Sequence, residues 1–337
     1  MKIAYILNPE VIVSNKSNGV RSQAEDWGKM LEERGHIVEY VNSWGNYDWK
    51  VFDIIHLFGD RDWAYYVGSR LRRINDNVVY SPICDPPSTF KYWKEYIRYA
   101  IHYLTFGVYK WPRYLDRKIF SVFKAYFVRS EFEKDFICKV YGVEPNLCKL
   151  VRLGYSSSCK QYESIIKDDF CLHISSIHQE RKNVIRLIDA AKKYNFNLVL
   201  AGNKGSDKEY YPIKQAIGNS KNIKVLGFVS EEEKIRLYKK AKVFALPSLL
   251  EGVGIVALDA AYYGCEIVIS NIPGPKEYYN GMCEEINPYC VDGIGKGIMN
   301  FLLDKKQYQP KLGEYVRSNY NTKCVYDNLF NAYTSLI

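Results

Sequence analysis

Residues 242–264, KVFALPSLLEGVGIVALDAAYYG, decide how the chain is read. Residues 243–246 form a short apolar run typical of a strand, and Pro247 and Ser248 interrupt it. From Gly254 onward, apolar residues recur at helical spacing. The stretch therefore predicts a strand, a turn and the start of a helix.

Two carboxylates, Glu251 and Asp259, bracket the predicted turn. If the helix begins near Gly254, Asp259 lies about 8 Å along its axis. The N–H groups at a helix start attract anions, and Gly252 and Gly254 allow close approach to the backbone. The pattern fits a diphosphate with one acid facing each organic end. The alternative is a helix-start acid and a solvated helix residue.

The wider string PSLLEGVGIVALDAAYYG resembles the nucleotide-sugar signature of the retaining glycosyltransferases of family 4, the group 1 glycosyltransferases. The usual family pattern is a Glu, seven residues and a second Glu, with Gly after the first acid and again two residues later. Here Asp259 stands in place of the second Glu. The resemblance implies an α/β protein of the GT-B fold, with two facing Rossmann-like domains and a deep interdomain cleft.

Composition agrees with a two-domain protein that binds acidic ligands. The chain has 337 residues and a net charge of +9, which favours phosphates, nucleotides or a membrane surface as partners. Its nine cysteines include no C-x-x-C pair, so we expect reduced thiols rather than a disulfide framework or a zinc site. With no signal peptide and no apolar run of about 18 residues, we expect a cytoplasmic protein, either soluble or peripheral at the inner face of the membrane.

Strands and helices alternate in both halves, which predicts parallel sheets. By the resemblance, residues 1–155 form an acceptor-binding domain, 156–169 a linker and 170–320 the nucleotide-sugar domain, and 321–337 form a helix that crosses back to the first domain. Ser130 with Glu133, and Ser230 with Glu233, predict capping boxes at two helix starts. The predicted strands lie at residues 2–7, 37–42, 53–58, 78–83, 125–129, 150–153, 170–175, 197–201, 243–246 and 266–270.

The first half offers few candidate site residues. It has no GxGxxG motif, and Asn18 with Gly19 is a thin version of the glycine-rich loop that the resemblance places against the donor diphosphate. His56 lies at a predicted strand end, where open sheets bind ligands, although a packed histidine is the alternative. The resemblance implies that Asp85 faces the acceptor, with Cys84 where the family has a His.

The segment SSIHQERKNV, residues 175–184, matches the family turn in which an Arg and a Lys grip the donor diphosphate. Lys182 falls on the Lys position with Arg181 beside it, whereas Ser176 occupies the usual Arg position. Cations bind phosphate strongly, so we expect Arg181 to substitute for the missing Arg. The alternative is surface charge before a helix.

The resemblance assigns the donor site to the second domain. The backbone around Phe228 corresponds to the region that meets the nucleotide base, which leaves the base open, with UDP slightly favoured. Glu251 is expected to hold the hydroxyls of the donor sugar and Asp259 the ribose. The residues assigned to donor binding are Gly19, Gly202, Asn203, Phe228, Gly252, Val253, Gly254, Ile255 and Asp259.

These assignments predict a retaining glycosyltransferase that moves a sugar from a nucleoside diphosphate to a hydroxyl of a glycan or lipid-linked acceptor, in polysaccharide or glycoconjugate synthesis. No enzymic nucleophile is apparent, and no cofactor beyond the donor is expected. The one DxD, from Asp60 to Asp62, is remote from the inferred diphosphate site, so we expect catalysis without a metal. A sugar-nucleotide epimerase of the same fold and a non-enzymatic nucleic-acid-binding module are the alternatives.

Residues 90–124 combine aromatic and basic side chains, with eight cations against two acids. The pattern fits peripheral binding to an anionic membrane, feeding the acceptor to a cleft lined by Asp85 and His56. The alternatives are single-stranded nucleic acid, which we do not expect as a partner, and packing within the domain. The aromatic residues at helical spacing are Tyr92, Tyr96, Tyr99, Tyr103 and Phe106.

Overall fold

The computed structural model describes residues 1–9, 11, 19–59, 61–85, 92–109, 117–156 and 166–337. The chain divides into two compact units, which are described separately. Unit 1 comprises Met1–Leu153 and Thr322–Ile337, and unit 2 comprises Gly154–Asn321. Within the described residues, each unit is built on one parallel sheet of six strands.

In unit 1 the strand order is β2-β1-β3-β4-β5-β6. The central strands are buried on both faces, as expected for parallel sheets made of continuous apolar runs. The strands are β1 Lys2–Leu7, β2 Ile37–Tyr40, β3 Ile54–Phe58, β4 Val78–Ser81, β5 Ala125–Val128 and β6 Cys148–Leu150. The helices described between them are α1 Gly19–Glu32, α2 Arg61–Leu71, α3 Tyr92–Leu104 and α4 Glu131–Tyr141.

In unit 2 the strand order is β12-β11-β10-β7-β8-β9. Apolar side chains from the sheet and from its helices form the buried core of this unit. The strands are β7 Asp168–Ile174, β8 Leu198–Ala201, β9 Ile223–Gly227, β10 Ala241–Leu246, β11 Glu266–Ser270 and β12 Glu284–Ile286. The helices are α5 Val184–Tyr194, α6 Asp207–Ile217, α7 Glu231–Lys240, α8 Ile255–Tyr262, α9 Pro273–Lys276, α10 Val291–Leu302 and α11 Lys311–Asn319.

The last helix, α12 (Thr322–Thr334), belongs to unit 1 although it follows unit 2 in sequence. The Tyr333 hydroxyl lies 2.6 Å from Nδ1 of His56 and 3.1 Å from the Tyr5 hydroxyl, all in the buried core. At the protein surface, Nε2 of His36 lies 3.0 Å from the Tyr326 hydroxyl. Polar contacts and stacked rings thus attach α12 to the sheet of unit 1.

Both predicted capping boxes are only half formed. The Ser130 and Ser230 hydroxyls accept from the backbone N–H of Glu133 and Glu233, as predicted. The Glu133 carboxylate instead binds Arg129 and the Cys84 N–H, and Glu233 pairs with Arg236. Each glutamate therefore has a stronger, charged or buried partner than the N–H of its capping serine. The complete box starts α6, at Ser206 and Glu209, where the sequence analysis placed no helix.

Strand order fixes where a site can form. It reverses between β1 and β3 in unit 1 and between β7 and β10 in unit 2. At such a reversal the two connections leave the sheet in opposite directions and open a crevice at the carboxyl ends of the strands. In unit 2, the loops that follow β7 and β10 therefore meet at the crevice.

Candidate donor site

Lys182 and Glu251, 69 residues apart, meet at the strand-order reversal of unit 2. Lys182 lies in the short 3-10 turn Glu180–Lys182 after β7, and Glu251 lies in the loop after β10. The Lys182 Nζ is 2.5 Å from Oε2 of Glu251. The Ser248 hydroxyl donates to the same oxygen at 3.0 Å. The fold thus joins two residues that the sequence analysis assigned separately to diphosphate and sugar.

The two loops are held together by backbone and side-chain hydrogen bonds. The Leu249 N–H donates to the Arg181 carbonyl at 2.7 Å. Asn183, in the left-handed conformation with φ of 58°, donates through Nδ2 to the carbonyls of Pro247 at 2.9 Å and Pro288 at 2.6 Å. Arg181 itself is exposed, and its guanidinium lies beside the Glu251 loop, 3.5 Å from the Leu250 carbonyl. Its assigned role as a second cation for the diphosphate stays a prediction.

Beneath the ion pair, the end of β7 carries a buried neutral histidine. Nδ1 of His173 lies 2.8 Å from the Ala245 carbonyl, and Nε2 lies 2.7 Å from the Ser175 hydroxyl. Burial, together with the nearby charge of Lys182, lowers the pKa of His173 to about 4, although the hydrogen bond to the Ala245 carbonyl acts in the opposite direction. The histidine is therefore neutral at pH 7, and Lys182 is the cation at the strand end.

Gly254 sets the start of α8, as predicted. It is the N-cap residue, with φ of 74°, and a Cβ there would lie 2.8 Å from Cδ2 of Leu246. A side chain would thus be strained twice, by conformation and by contact. Val253 and Ile255 flank it, and the first N–H groups of the helix have no partner within the helix. The helix start faces the loop that carries Glu251.

Asp259 lies one turn into α8 and is 2% exposed. One of its carboxylate oxygens accepts from the Ser156 N–H at 2.8 Å. The alternative of a solvated helix residue is therefore wrong for Asp259. The assigned ribose contact stays a prediction, made for a carboxylate that already holds the backbone at residue 156.

The candidate base region lies at the carboxyl ends of β8 and β9. The Gly202 N–H donates to the Gly227 carbonyl at 2.6 Å, so the next residues, Asn203 and Phe228, begin two neighbouring loops. Phe228 is 78% exposed and offers an aromatic face. Gly202 has φ of 115°, and a Cβ there would lie 1.9 Å from the Ser175 carbonyl oxygen. Only glycine fits this approach of β8 to the β7 loop.

Of the two candidate acceptor residues of unit 1, Asp85 is exposed and His56 is buried. Asp85 is exposed just after β4, where its carboxylate accepts from Arg129 at 3.0 Å. His56 is fully buried, with Nδ1 on Tyr333 and Nε2 2.8 Å from the Ser81 hydroxyl. This placement corrects the expected acceptor contact of His56, because both ring nitrogens are engaged inside the core. It is the packed histidine that the sequence left as an alternative.

Some predicted features fall partly or wholly outside the described residues. Gly19 is described as the first residue of α1, but Asn18 lies outside them. In the DxD motif, Asp60 lies outside them and Asp62 belongs to the first turn of α2. Across the described part of the chain, no group of three or more His, Cys, Asp or Glu side chains is arranged to hold a metal ion.

Sequence reasoning missed Ser248, Asn183 and Tyr279. Ser248 stands three residues before Glu251, a spacing at which a hydroxyl reaches a neighbouring polar group within one turn. Tyr279 is fully buried, and burial, Cys283 and Glu251 raise its pKa well above the usual value. No local pattern points to Asn183, because the Pro247 and Pro288 carbonyls that it binds are distant in sequence, and the raised pKa of Tyr279 comes first from its burial, which depends on the fold.

Comparison with known sequences finds a family match in the second half of the chain. Residues 160–319 match the family model described as glycosyl transferases group 1. The O-antigen chain mannosyltransferase B of Escherichia coli is 28% identical over 213 residues, 57% of this chain and 56% of that protein. An uncharacterized glycosyltransferase of Methanocaldococcus jannaschii is 33% identical over 119 residues, 34% of this chain and 30% of that protein. The match thus spans about half of the first relative and less than a third of the second.

Solved structures match nearly the whole chain. A sucrose-phosphate synthase from Thermosynechococcus elongatus superposes with a TM-score of 0.77 at 13% identity, covering 100% of this chain and 99% of that one. Anabaena HepE, in complex with UDP and glucose, gives a TM-score of 0.72 at 15% identity, covering 99% and 100%. The chain therefore has the GT-B fold, and its residues 160–319 match the glycosyl transferases group 1.

Proposed function

We propose that this protein is a retaining, metal-independent glycosyltransferase that transfers a sugar from a nucleoside diphosphate to a hydroxyl of a glycan or lipid-linked acceptor. The observation that carries the proposal is the Lys182–Glu251 pair at the strand-order reversal of unit 2. It lies in the segment that matches the group 1 glycosyl transferases. The match gives no support to the epimerase or nucleic-acid alternatives.

Donor binding would rearrange this pair. A diphosphate carries more negative charge than one carboxylate, so it competes for Lys182 and for the exposed guanidinium of Arg181. Glu251 is then released to accept hydrogen bonds from hydroxyls of the donor sugar, with Ser248 still holding one oxygen. The same lysine thus serves as the counterion of Glu251 before the donor binds and of the diphosphate afterwards.

The start of α8 would stabilise the leaving diphosphate. Negative charge grows on the leaving group as the glycosidic bond breaks, and N–H groups from Gly252 to Ile255 are preorganised to receive it. The loss of one such donor typically raises a barrier by about 2.7 to 4 kcal/mol. No step here needs an enzymic nucleophile or a metal ion.

The relatives suggest which donors to test first. One curated relative is named a mannosyltransferase, and HepE was solved with UDP and glucose. A thermal-shift screen against UDP, GDP, ADP and CMP sugars tests the donor proposal, because a ligand at 100 times its Kd adds about 2.7 kcal/mol of stability. Glu251→Ala should remove the part of the shift by which the best sugar nucleotide exceeds its own nucleoside diphosphate, because Glu251 is assigned to the sugar and Lys182 to the diphosphate. An undiminished difference in this variant would contradict the assignment.

We also propose weak peripheral membrane contact through the exposed end of α3 and the turn after it. Of the five aromatic residues at helical spacing, Tyr103 and Phe106 are exposed, so the alternative of packing within the domain is wrong for these two. The Tyr99 ring packs against Arg117, whose guanidinium carbon lies 4.1 Å from the ring centroid. No helix in the described ranges is long and apolar enough to cross a membrane. The exposed apolar side chains of this surface are Ile97, Ile101, Tyr103, Leu104, Phe106 and Val108.

Charge on the same helix supports an anionic surface as the target. Lys94 and Arg98 are exposed on α3, and each cation near such a membrane contributes roughly 1 kcal/mol. Lys91 and residues 110–116 lie outside the described residues. Co-sedimentation with anionic liposomes should fall when Lys94 and Arg98 are changed to Glu, but not when the exposed Lys214 and Lys221 of unit 2 are changed in the same way. Equal loss in both double variants would point to net charge rather than to this surface.

A further inference from the structure

The turn after β4 holds an unusual backbone conformation beside a buried ion cluster. Ile83 has φ of 49°, a region that β-branched residues rarely adopt. Two residues later, the side chain of Asp85 is 38% exposed. Such conformations persist only when surrounding contacts fix them, and they collect at functional sites. The contacts around Cys84 and Asp85 show what fixes this one.

Arg129 and Glu133 hold both backbone groups of Cys84. Oε1 of Glu133 accepts from the Cys84 N–H at 2.6 Å, and Nη2 of Arg129 donates to the Cys84 carbonyl at 2.9 Å. The same nitrogen donates to Oδ1 of Asp85 at 3.0 Å. The end of β5 and the start of α4 thus grip the turn on three polar groups.

The two gripping residues are themselves tightly paired. Glu133 accepts from Nε and Nη2 of Arg129 at 3.0 and 2.9 Å, and their side chains are 2% and 9% exposed. Burial alone would lower the pKa of Arg129, but Glu133 and Asp85 raise it above the usual value. Burial and Glu133 also raise the pKa of Cys84 to about 12, so its thiol stays protonated and cannot serve as a nucleophile at neutral pH.

The exposed group of the cluster favours one kind of ligand. Two carboxylates, Asp85 and Glu133, lie near two cations, Arg129 and Arg61, so the charges are matched and the choice rests on hydrogen bonding. A carboxylate only accepts hydrogen bonds, so a sugar hydroxyl can donate to Asp85, whereas an ionised phosphate offers it no donor. Because Oδ1 is already held by Arg129, the orientation in which Asp85 receives such a donor is set before the ligand arrives.

We propose that Arg129 and Glu133 are positioning residues that orient the Asp85 carboxylate to accept a hydrogen bond from a hydroxyl of a neutral sugar acceptor. The proposal rests on the proposed glycosyltransferase function. It assigns acceptor recognition in unit 1 to a three-residue unit, Asp85 with its two buried supports, of which the sequence indicated only Asp85.

The test compares Asp85→Asn, Arg129→Lys and the double variant with Arg72→Lys as a control. Arg72 also lies in unit 1 and donates through Nε to the Val122 carbonyl, outside the cluster. Transfer is measured from GDP-mannose and from UDP-glucose to methyl α-D-mannopyranoside. We expect at least a tenfold rise in the acceptor KM for each cluster variant, a donor Kd within twofold of wild type, and a double variant no worse than the worse single one.

Multiplying effects in the double variant, or Arg129→Lys kinetics equal to those of Arg72→Lys, would overturn the proposal. Amide hydrogen exchange at Cys84 gives a readout that needs no turnover. We expect exchange at least tenfold faster in Arg129→Lys and unchanged in Asp85→Asn, and equal exchange in wild type and Arg129→Lys would refute the positioning role. If the wild type transfers sugar from neither donor, the proposed function fails, while the exchange result still decides whether Arg129 holds the turn.

Discussion

Removing the lysine of the Lys182–Glu251 pair should destabilise unit 2 strongly. In Lys182→Met, the apolar stem is kept but Glu251 is left as a buried carboxylate, in a pair whose side chains are only 10% and 13% exposed. Breaking a buried pair in this way typically costs 3–5 kcal/mol, and the remaining Ser248 bond places our expectation at about 3 kcal/mol. For a unit of this size, that corresponds to roughly 6–12 °C in Tm.

The assay must report unit 2 separately. All six tryptophans lie within residues 1–153, so their fluorescence follows unit 1. Hydrogen exchange of the β7 and β10 peptides in a urea series follows unit 2 instead. The matched control is Lys193→Met, since Lys193 pairs with Asp292 at 2.6 Å but with side chains 56% and 48% exposed.

We expect the control to stay within error of wild type, because exposed pairs contribute little. The double variant Lys182→Met/Glu251→Gln should recover most of the lost stability, since no charge is then left buried. If Lys182→Met lost no more stability than Lys193→Met, or if the double variant were as unstable as the single one, the pair would not be the buried ion pair described here.

Further outcomes follow from other residues at the site. Gly202→Ala should lower stability beyond the usual cost of a positive φ and should abolish nucleotide binding, because its Cβ would overlap the Ser175 carbonyl. Thermal melting with and without UDP measures both effects, and a Tm equal to that of the wild type would contradict the prediction. His173 has a folded pKa of about 4, so the unfolded state binds the extra proton as pH falls below about 6.5, and this group should make unfolding about 2 kcal/mol easier at pH 5 than at pH 7. Urea titrations at the two pH values should show a smaller difference in His173→Gln, and an unchanged difference would exclude His173 as its source. Turnover should be undiminished in excess EDTA, whereas strict dependence on a divalent ion would move the diphosphate site away from Lys182.

The sequence predicted the sheets well because their strands are nearly continuous apolar runs bounded by turn residues. β1 and β11 have the predicted limits, and α8 begins at Ile255 with Gly254 as its N-cap residue, close to the predicted start near Gly254. The starts of α4 and α7 were also predicted correctly, with Ser130 and Ser230 as N-cap residues, but the reciprocal bonds of the two capping boxes are not formed. Glu133 pairs instead with Arg129, and Glu233 pairs with Arg236. Of the two glutamates, Glu133 also accepts from the N–H of Cys84, a residue distant in sequence.

The candidate site was predictable only in its pieces. The family-like strings indicated Lys182 and Glu251 as separate contacts, but their pairing depends on the order β10-β7 in the sheet. His56 shows the opposite limit. Its position at a strand end suggested contact with a ligand, whereas Tyr333 of the last helix covers it. Because Tyr333 lies 277 residues later in the chain, no local sequence pattern could predict this contact.

The most direct test of the account is the NMR measurement of sugar transfer from an α-linked nucleotide sugar, comparing the wild type, Lys182→Met and Lys193→Met. We predict an α-linked product from the wild type and from Lys193→Met. In Lys182→Met we predict that the transfer rate falls by about 100-fold or more, because the preorganised positive charge at the diphosphate is lost. A β-linked product would contradict the retaining mechanism. A wild-type rate in folded Lys182→Met would contradict the claim that the Lys182–Glu251 pair is the donor site.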